Sequence, residues 1–573
     1  MIDLVLKHRR PVGSAQASAL PAPPQEKTVW STEALVLAVV ALLVALANLP
    51  FWRATLEGRL FLDINTWRFL LTSIVILLGL HAVPVLLLAT RVTVRPLLAL
   101  LIVSSLVAQH MMQQYGVVLD PSMLRNALKT DTHEASELMT ASLFINIGIG
   151  IAASALLWRV PLRSIPWRKA LLVRALSVAG VLLVTVAALL LGFQDFSSTM
   201  RNQKEVRYTI TPGNVLYSTA RAVSADIQDA RRVVEPLAPI HMAAGATAAG
   251  RKPRLLVVMV GETARSMNFS LNGYERTTNP ELSALPIINF PQTTSCGTST
   301  EVSLPCMFSS YGRANYDEAR IRGSESLIQL LARSGMRVVW LDNQSGCKGV
   351  CTGVEFHDVT AGTDPALCPD GHCFDGALVQ GLQRVIEQDS TSNAAGRDTV
   401  VVLHQLGNHG PAYSKRYPAE FARFKPECNK LELRDCSREE ITNAYDNAIL
   451  YTDHLLASTI TLLQKQQNKF DVGLVYASDH GESLGEKGLY LHGMPLAIAP
   501  KEQYTVPMVW WFGGTGASGW NGLDASCLRA RAQQPAHHDH LYHSIMGLMG
   551  VETSNYIAER DLISRCREPR TGV

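Results

Sequence analysis

Five uncharged stretches dominate the first 200 residues: Ala34–Trp52, Phe69–Thr90, Pro96–Leu119, Leu138–Trp158 and Ala175–Gln194. Each is close to the ~20 apolar residues needed to cross the hydrocarbon core of a bilayer. Five buried core helices would need amphipathic partners to cover them, and so short a segment supplies none. The stretches therefore read as five membrane spans. The first is no cleaved signal peptide, because a polar tail over 1–33 precedes it and further spans follow.

Orientation follows from basic residues near the span ends. Lys7, Arg9, Arg10 and Lys27 lie in the tail, Arg91 and Arg95 after the second stretch, and Arg159, Arg163, Arg168 and Lys169 after the fourth. The opposite loops carry Asp63, Asp120, Asp131, Glu134 and Glu137. The N-terminus is thus expected in the cytoplasm, and everything after Gln194 outside. All ten cysteines lie between Cys296 and Cys566, on the side where disulfides persist. Residues 1–200 hold 16 Lys/Arg against 10 Asp/Glu, and the remainder 36 against 39. That remainder lacks the basic excess of a nucleic-acid-binding domain, so no nucleic-acid partner is expected.

Within the membrane part, 34–194, the polar loop 115–137 is predicted helical. Asn126, Thr130 and Glu134 recur at i, i+4 and i+8, which places them on one helix face. The alternative is a solvated surface helix. A connector over 195–253 follows. Its piece Asn214–Val234 is mildly amphipathic and suits a bilayer surface, and Ala243–Pro253 has the Ala/Gly content of a linker.

From 254 to 573 the pattern changes to short apolar strands alternating with amphipathic helices. Strands are predicted at Leu255–Val260, Ile287–Phe290, Arg337–Leu341, Thr399–Leu403, Val472–Tyr476 and Val506–Trp511. Helices are predicted at Glu325–Arg333, Gly376–Glu387, Glu439–Lys465 and His540–Met549. Continuous apolar strands indicate a mainly parallel sheet covered on both faces, with ligands beyond the strands' carboxyl ends. Cysteine spacing suggests Cys296–Cys306, Cys347–Cys351, Cys368–Cys373 and Cys428–Cys436, leaving Cys527–Cys566. The number of cysteines alone does not fix that connectivity.

Three predicted strands end on metal-competent groups: Glu262 after the first, Asp479-His480-Gly481-Glu482 after the fifth, and Asn408-His409-Gly410-Pro411 after the fourth. Leu491-His492-Gly493 adds another imidazole. Carboxylate and imidazole donors without thiolate suit a phosphate-handling Zn²⁺ site, and Mn²⁺ also fits. The segment Ser295–Cys306 offers Thr298, Ser299 and Thr300 at a helix start, where backbone N–H groups hold phosphate oxygens. Simple N-capping is the competing explanation, and hydroxyl chemistry does not choose among the three. His537-His538-Asp539-His540-Leu541-Tyr542-His543 looks like a metal cluster but is read as structural, with Asp539 capping a helix and His540 or His543 buried.

Gly261-Glu262-Thr263-Ala264-Arg265, Cys296–Cys306, Asn408–Pro411, Ser478–Glu486 and Leu491–Pro495 together resemble the phosphoethanolamine–lipid A transferases. That family includes the mobile colistin-resistance enzymes and belongs to the alkaline phosphatase/sulfatase superfamily. The resemblance implies a five-span inner-membrane domain and a periplasmic α/β catalytic domain of alkaline phosphatase/sulfatase type. It implies transfer of phosphoethanolamine from phosphatidylethanolamine to a lipid A phosphate of lipopolysaccharide. A core-oligosaccharide acceptor, a hydrolase and a non-catalytic membrane sensor are the alternatives. By resemblance, Thr300 is the nucleophile, and Glu262, Asp479 and His480 hold one tightly bound zinc ion with Thr300. His409 and His492 match histidines associated with substrate, leaving-group protonation and a second zinc. Asn126, Thr130, Glu134, Ser345 and Lys348 match the phosphatidylethanolamine pocket.

Overall fold

The computed structural model describes residues 29–567, apart from 131, 233, 244–250, 363, 370, 371, 393–395 and 514–519. The basic tail and most of the expected linker lie outside the described residues.

Among the described residues, nine α-helices form the first part: α1 (Thr32–Leu46), α2 (Leu49–Leu56), α3 (Ile64–Leu88), α4 (Val94–Tyr115), α5 (Pro121–Lys129), α6 (Thr132–Glu137), α7 (Ala141–Arg159), α8 (Trp167–Asn202) and α9 (Gly213–Ala230). Helices α3, α4, α7 and α8 are each long and apolar enough to span a bilayer. The stretch expected as the first span is instead a pair, α1 and α2, bent by 54°. Pro50 accounts for the break, since its ring and missing N–H permit a helix start but not continuation from α1. At the break Asn48 is fully buried. Its amide donates to the carbonyls of Leu43 at 3.0 Å and Thr211 at 2.9 Å, and accepts from Thr211 N at 2.7 Å.

Small residues let α3 and α8 approach closely, as lipid-embedded helices require. A Cβ on Gly79 would lie 2.0 Å from Thr185 Oγ1, and one on Gly192 2.3 Å from Thr72 Cγ2. The outer side of α8 presents Leu172, Leu176, Leu183 and Leu190, all exposed and suited to lipid.

The polar loop departs from the expected single helix. Asp120 caps α5 by accepting from Met123 N at 2.8 Å, with Pro121 following it. At Thr130 the backbone turns extended (ψ 134°), and its hydroxyl takes the Asn126 carbonyl at 2.9 Å. That carbonyl is the one a continuing helix would use. Asn126, Thr130 and Glu134 therefore do not share one uninterrupted helix face.

The described residues of the second part contain twelve strands: β1 (His241–Met242), β2 (Arg254–Gly261), β3 (Ile288–Thr294), β4 (Arg337–Asp342), β5 (Glu355–Asp358), β6 (Thr399–His404), β7 (Asp471–Ser478), β8 (Ser483–Leu484), β9 (Tyr490–Leu491), β10 (Thr505–Phe512), β11 (Ala536–His537) and β12 (Val551–Glu552). Eight form one sheet in the order β11-β3-β10-β7-β2-β6-β4-β5. It is parallel except for β10, which runs antiparallel to both β3 and β7. An apolar run reads alike in either direction, so β10's reversal carries no sequence signature.

Central strand β2 is buried on both faces. Leu255, Val257 and Met259 join the core under α13 (Gly376–Ser392) and α14 (Arg438–Gln464). Leu256, Val258 and Val260 join the opposite core, with α10 (Thr300–Met307), α12 (Leu327–Arg333), α15 (Ala525–Ala532) and α16 (Asp539–Met549). Short α11 (Glu318–Gly323) follows α10 in the chain. Capping boxes Ser326/Gln329 and Ser437/Glu440 start α12 and α14. All ten cysteines are paired, as Cys296–Cys306, Cys347–Cys351, Cys368–Cys373, Cys428–Cys436 and Cys527–Cys566.

Asn48→Ala should lower the melting temperature of the detergent-solubilised chain. It orphans the buried N–H and C=O of Thr211, at about 1–3 kcal/mol per unsatisfied group. A melting curve identical to the parent's would show that these bonds do not hold α1 to the connector.

Candidate active site

Strand register brings the two carboxylates together. In the parallel pair β2–β7, Gly261 is opposite Ser478, so the next residues, Glu262 and Asp479, leave the sheet side by side. Glu262, Asp479 and His480 are fully buried, and their donor atoms lie within 4.8 Å of one another. Gly407 (φ +56°) lets the loop after β6 close over Glu262, because a Cβ there would lie 2.6 Å from the Glu262 carbonyl oxygen.

Helix α10 delivers the hydroxyl. Thr300 Oγ1 is 3.1 and 3.0 Å from the Glu262 carboxylate oxygens and 3.3 Å from His480 Nε2. The neighbouring hydroxyls are placed differently. Thr298 Oγ1 donates to the Met494 carbonyl at 2.5 Å, and Ser299 sits at the N-cap without a side-chain capping bond.

This donor set fits a divalent cation. Asp479 Oδ2 is buried with no hydrogen-bond partner, and two carboxylates converge with one imidazole. Burial and the Glu262 charge push Asp479 up to about 7. Although burial opposes it, His480 is raised to about 10 by the charges of Asp479 and Glu262. Glu262 is driven far down by His480 despite its own burial. Buried groups that perturb one another this strongly cluster at functional sites.

His409 and His492 flank the opening. The His492 ring is 4.4 Å from His480 and 5.3 Å from His409, centroid to centroid. His492 Nδ1 lies 3.1 Å from the buried Glu482 carboxylate, which fixes the ring. His409 Nδ1 is buried with no partner, and burial pushes the imidazole down to about 3.

Ser345 and Lys348 connect to the same centre. Lys348 Nζ donates to Ser345 Oγ at 2.6 Å, Ser345 Oγ donates to Gln344 Oε1 at 2.8 Å, and Gln344 Nε2 donates to Glu262 Oε2 at 3.0 Å. Asn126 and Thr130 lie on and just after α5, whose Lys129 Nζ is 3.3 Å from Glu301, the residue after Thr300. Buried Glu134 belongs to α6.

The histidine cluster near the C-terminus is not a ligand set. His538 Nε2 donates to the Ser478 carbonyl at 2.9 Å, and its Nδ1 accepts from Cys296 N at 3.2 Å. Burial pushes this ring down to about 4, so it is a neutral cross-link between the Cys296 loop and β7. Asp539 does not cap its own helix, because its carboxylate accepts from Arg313 N and Ala314 N instead.

Two sequence families match the chain: Sulfatase over residues 254–551 and Phosphoethanolamine transferase EptA/EptB over residues 77–227. Phosphoethanolamine transferase EptA of Escherichia coli K12 is 38% identical over 487 residues, covering 82% of this chain and 86% of that protein. Phosphatidylethanolamine transferase Mcr-1 of Escherichia coli is 38% identical over 506 residues, covering 85% and 92%. The structure of the integral membrane protein lipooligosaccharide phosphoethanolamine transferase A from Neisseria meningitidis superposes with a TM-score of 0.85. That match has 34% identity and covers 93% of this chain and 99% of that one. The chain belongs to the phosphoethanolamine transferase family.

Several residues of this transferase's site carry no local sequence signal. Gln344 meets Glu262 from 82 residues away. Ser303 Oγ donates to the Asp479 carbonyl at 2.5 Å and ties α10 to the ligand strand. Thr263, a β-branched residue at φ +52°, is held there by Tyr445, whose hydroxyl donates to the Thr263 carbonyl at 2.6 Å.

Asp479→Ala should abolish tight binding of a divalent metal to the purified transferase, because it opens the shell around a dication. Gln344→Ala should weaken binding about 10–100-fold, as loss of an outer partner does. Chelator competition followed by elemental analysis measures both. Unchanged metal content in Asp479→Ala would place the metal elsewhere.

Proposed function

We propose that this chain transfers phosphoethanolamine from phosphatidylethanolamine to a phosphate of lipid A, through a covalent intermediate on Thr300. The observation that carries this reading is the convergence of Thr300 Oγ1 with Glu262 and His480. The names of related transferases support the donor and acceptor classes: phosphatidylethanolamine for Mcr-1, lipooligosaccharide for the Neisseria meningitidis protein, and Kdo(2)-lipid A for a 7''-transferase of Salmonella typhimurium 30% identical over 308 residues. Glu262, Asp479 and His480 suit one zinc ion, and His409 with His492 are the groups nearest at hand for a second.

The reaction divides into two displacements. In the first, Thr300 Oγ1 forms a bond to phosphorus, the bond to the diacylglycerol oxygen breaks, and the hydroxyl proton ends on that leaving oxygen. In the second, an oxygen of the lipid A phosphate forms a bond to the same phosphorus, the bond to Thr300 Oγ1 breaks, and that oxygen takes the proton given up by the attacking phosphomonoester. A bound zinc ion supplies Lewis acidity, favouring the ionised hydroxyl and offsetting phosphoryl charge. His409 and His492, whose rings stand 5.3 Å apart, are assigned to leaving-group protonation. Ser345, Lys348, Asn126, Thr130 and Glu134 are assigned to the donor lipid's headgroup.

The product replaces a phosphomonoester of about −1.5 to −2 with a diphosphate diester, whose one negative charge per phosphorus is partly offset by the ammonium group, for a net charge of about −1. Lipid A becomes less negative, and cationic polymyxins are attracted less. Such chemistry belongs in the envelope of a Gram-negative cell. The assigned topology is a cytoplasmic tail (1–33), a five-span domain (34–194), a connector (195–253) and a periplasmic catalytic domain (254–573) in the inner membrane.

Incubation with phosphatidylethanolamine and no acceptor should leave phosphoethanolamine on the peptide spanning Cys296–Cys306. Fragment mass spectrometry should place it on Thr300. Thr300→Ala should abolish the adduct and diacylglycerol release while retaining metal. An adduct on Thr298 would refute the assignment, and lipid A left unmodified in cells carrying the gene would refute the acceptor.

A further inference from the structure

Glu301, the residue after the proposed nucleophile, is the hub of a buried ionic network that reaches outside the catalytic domain. Its side chain is 1% exposed and lies 3.1 Å from Arg125, 3.3 Å from Lys129 and 2.7 Å from Arg322. Arg125 and Lys129 belong to α5, a loop helix of the membrane domain, whereas Arg322 belongs to α11. Arg125 is itself buried and reaches three further carboxylates: Asp226 at 2.7 Å, Glu318 at 2.7 Å, and Asp229. Arg232 pairs with Asp229 at 3.1 Å, so four cations face four carboxylates. Asp226 and Asp229 come from the connector helix α9.

The backbone of Glu301 is held by the same network. Pro305 has no N–H, so the Glu301 carbonyl lacks its intrahelical partner. Arg322 fills that place, donating to the carbonyl at 2.7 Å while also bonding the Glu301 carboxylate. The first turn of α10 is thereby fixed from outside the helix. At the other end of the loop, Glu137 of α6 forms an ion pair with Arg416, and both are 1% exposed at the side chain. Arg416 Nε donates to the His409 carbonyl at 2.6 Å.

We infer that the loop helices α5 and α6 set the active-site geometry, with Arg125–Glu301 positioning Thr300 and Glu137–Arg416 positioning His409. This inference rests on Thr300 being the nucleophile. Arg125 and Glu301 are positioning residues, since neither reaches the reacting atoms. Seating of the catalytic domain on the membrane domain then completes the site. Breaking the Arg125–Glu301 link frees the first turn of α10, and misplacement of a reacting group by about 1 Å costs on the order of 10²-fold in rate.

The test uses the full-length, metal-loaded protein in detergent. The probe is dihexanoyl phosphatidylethanolamine, monomeric in water, without acceptor. The rate of adduct formation on Thr300 is followed against donor concentration, and each variant's melting temperature is recorded. Arg125→Gln should lower the saturating rate about 10²-fold with little change in half-saturating concentration, and Arg125→Lys should recover part of it. Arg125→Gln also leaves a buried carboxylate uncompensated and should melt earlier. Adding Glu301→Gln restores the charge balance, so the double variant should regain melting temperature while its rate stays low. If rate and stability recover together, the pair is merely structural and the inference is overturned. An unchanged rate in Arg125→Gln overturns it as well. If that single variant does not fold, the double variant alone decides by the same criterion. Adduct formation surviving in Thr300→Ala would instead overturn the nucleophile assignment, an outcome no Arg125 variant can produce.

Discussion

Two carboxylates, Glu262 and Asp479, emerge side by side from a fully buried pair of parallel strands, and most of the site answers to that placement. Neither group reaches water, so its charge must be met from within the protein or by a bound cation. His480 meets part of it, and the two carboxylates raise its imidazole in turn. Gln344 takes one Glu262 oxygen, Thr263 N approaches Asp479 Oδ1 at 3.3 Å, and Asp479 Oδ2 has no hydrogen bond, with His480 Nε2 3.4 Å away. A sheet that only packed hydrophobic residues would gain nothing from this arrangement. It becomes favourable where a dication and a phosphoryl group share the space.

What could be read from the sequence follows from how local each signal is. Leu255–Val260 and Val472–Tyr476 read as strands because apolar β-branched runs need no partner to be recognised, and the structure has β2 and β7 there. Glu262, Asp479 and His480 stood out because they follow those runs directly. Choosing among Thr298, Ser299 and Thr300 required tertiary contacts, since all three share composition and position at a helix start. The break between α1 and α2 was marked by Pro50, but the run's uniform hydrophobicity outweighed that one residue. The i, i+4, i+8 spacing of Asn126, Thr130 and Glu134 suggested one helix face. The hydroxyl of Thr130 then competed for the carbonyl that such a helix needs. Short edge strands β5 and β11 depend on neighbours, and nothing local announces them.

The polar contacts that shape the site are nearly all long-range. Arg125 reaches Glu318 across 193 residues, and Arg416 reaches Glu137 across 279. Arg125 sits on the amphipathic α5 where a solvated arginine would look the same in sequence. Its burial comes from α5 being enclosed by α9, α10 and α11. A buried arginine facing several carboxylates is stable only while every partner stays in place, because loss of one partner leaves a desolvated charge. Such a network specifies a single docking arrangement more than it adds net stability.

Helix α10 shows why that specificity matters. It is eight residues long and contains Pro305, and so short a helix does not hold its shape unaided. Its direction is imposed by four attachments: the Cys296–Cys306 disulfide, Ser303 on the Asp479 carbonyl, His538 on Cys296 N, and Glu301 in the charged hub. Three of them lie within the catalytic domain. Of these four, the Glu301 hub is the one that extends to α5 and α9, linking α10 to the membrane domain. A lipid donor is presented by the bilayer, and its phosphorus has a position relative to the membrane helices. As the proposed nucleophile, Thr300 must share that frame of reference to meet it, and the Arg125–Glu301 pair provides a direct mechanical link between the two.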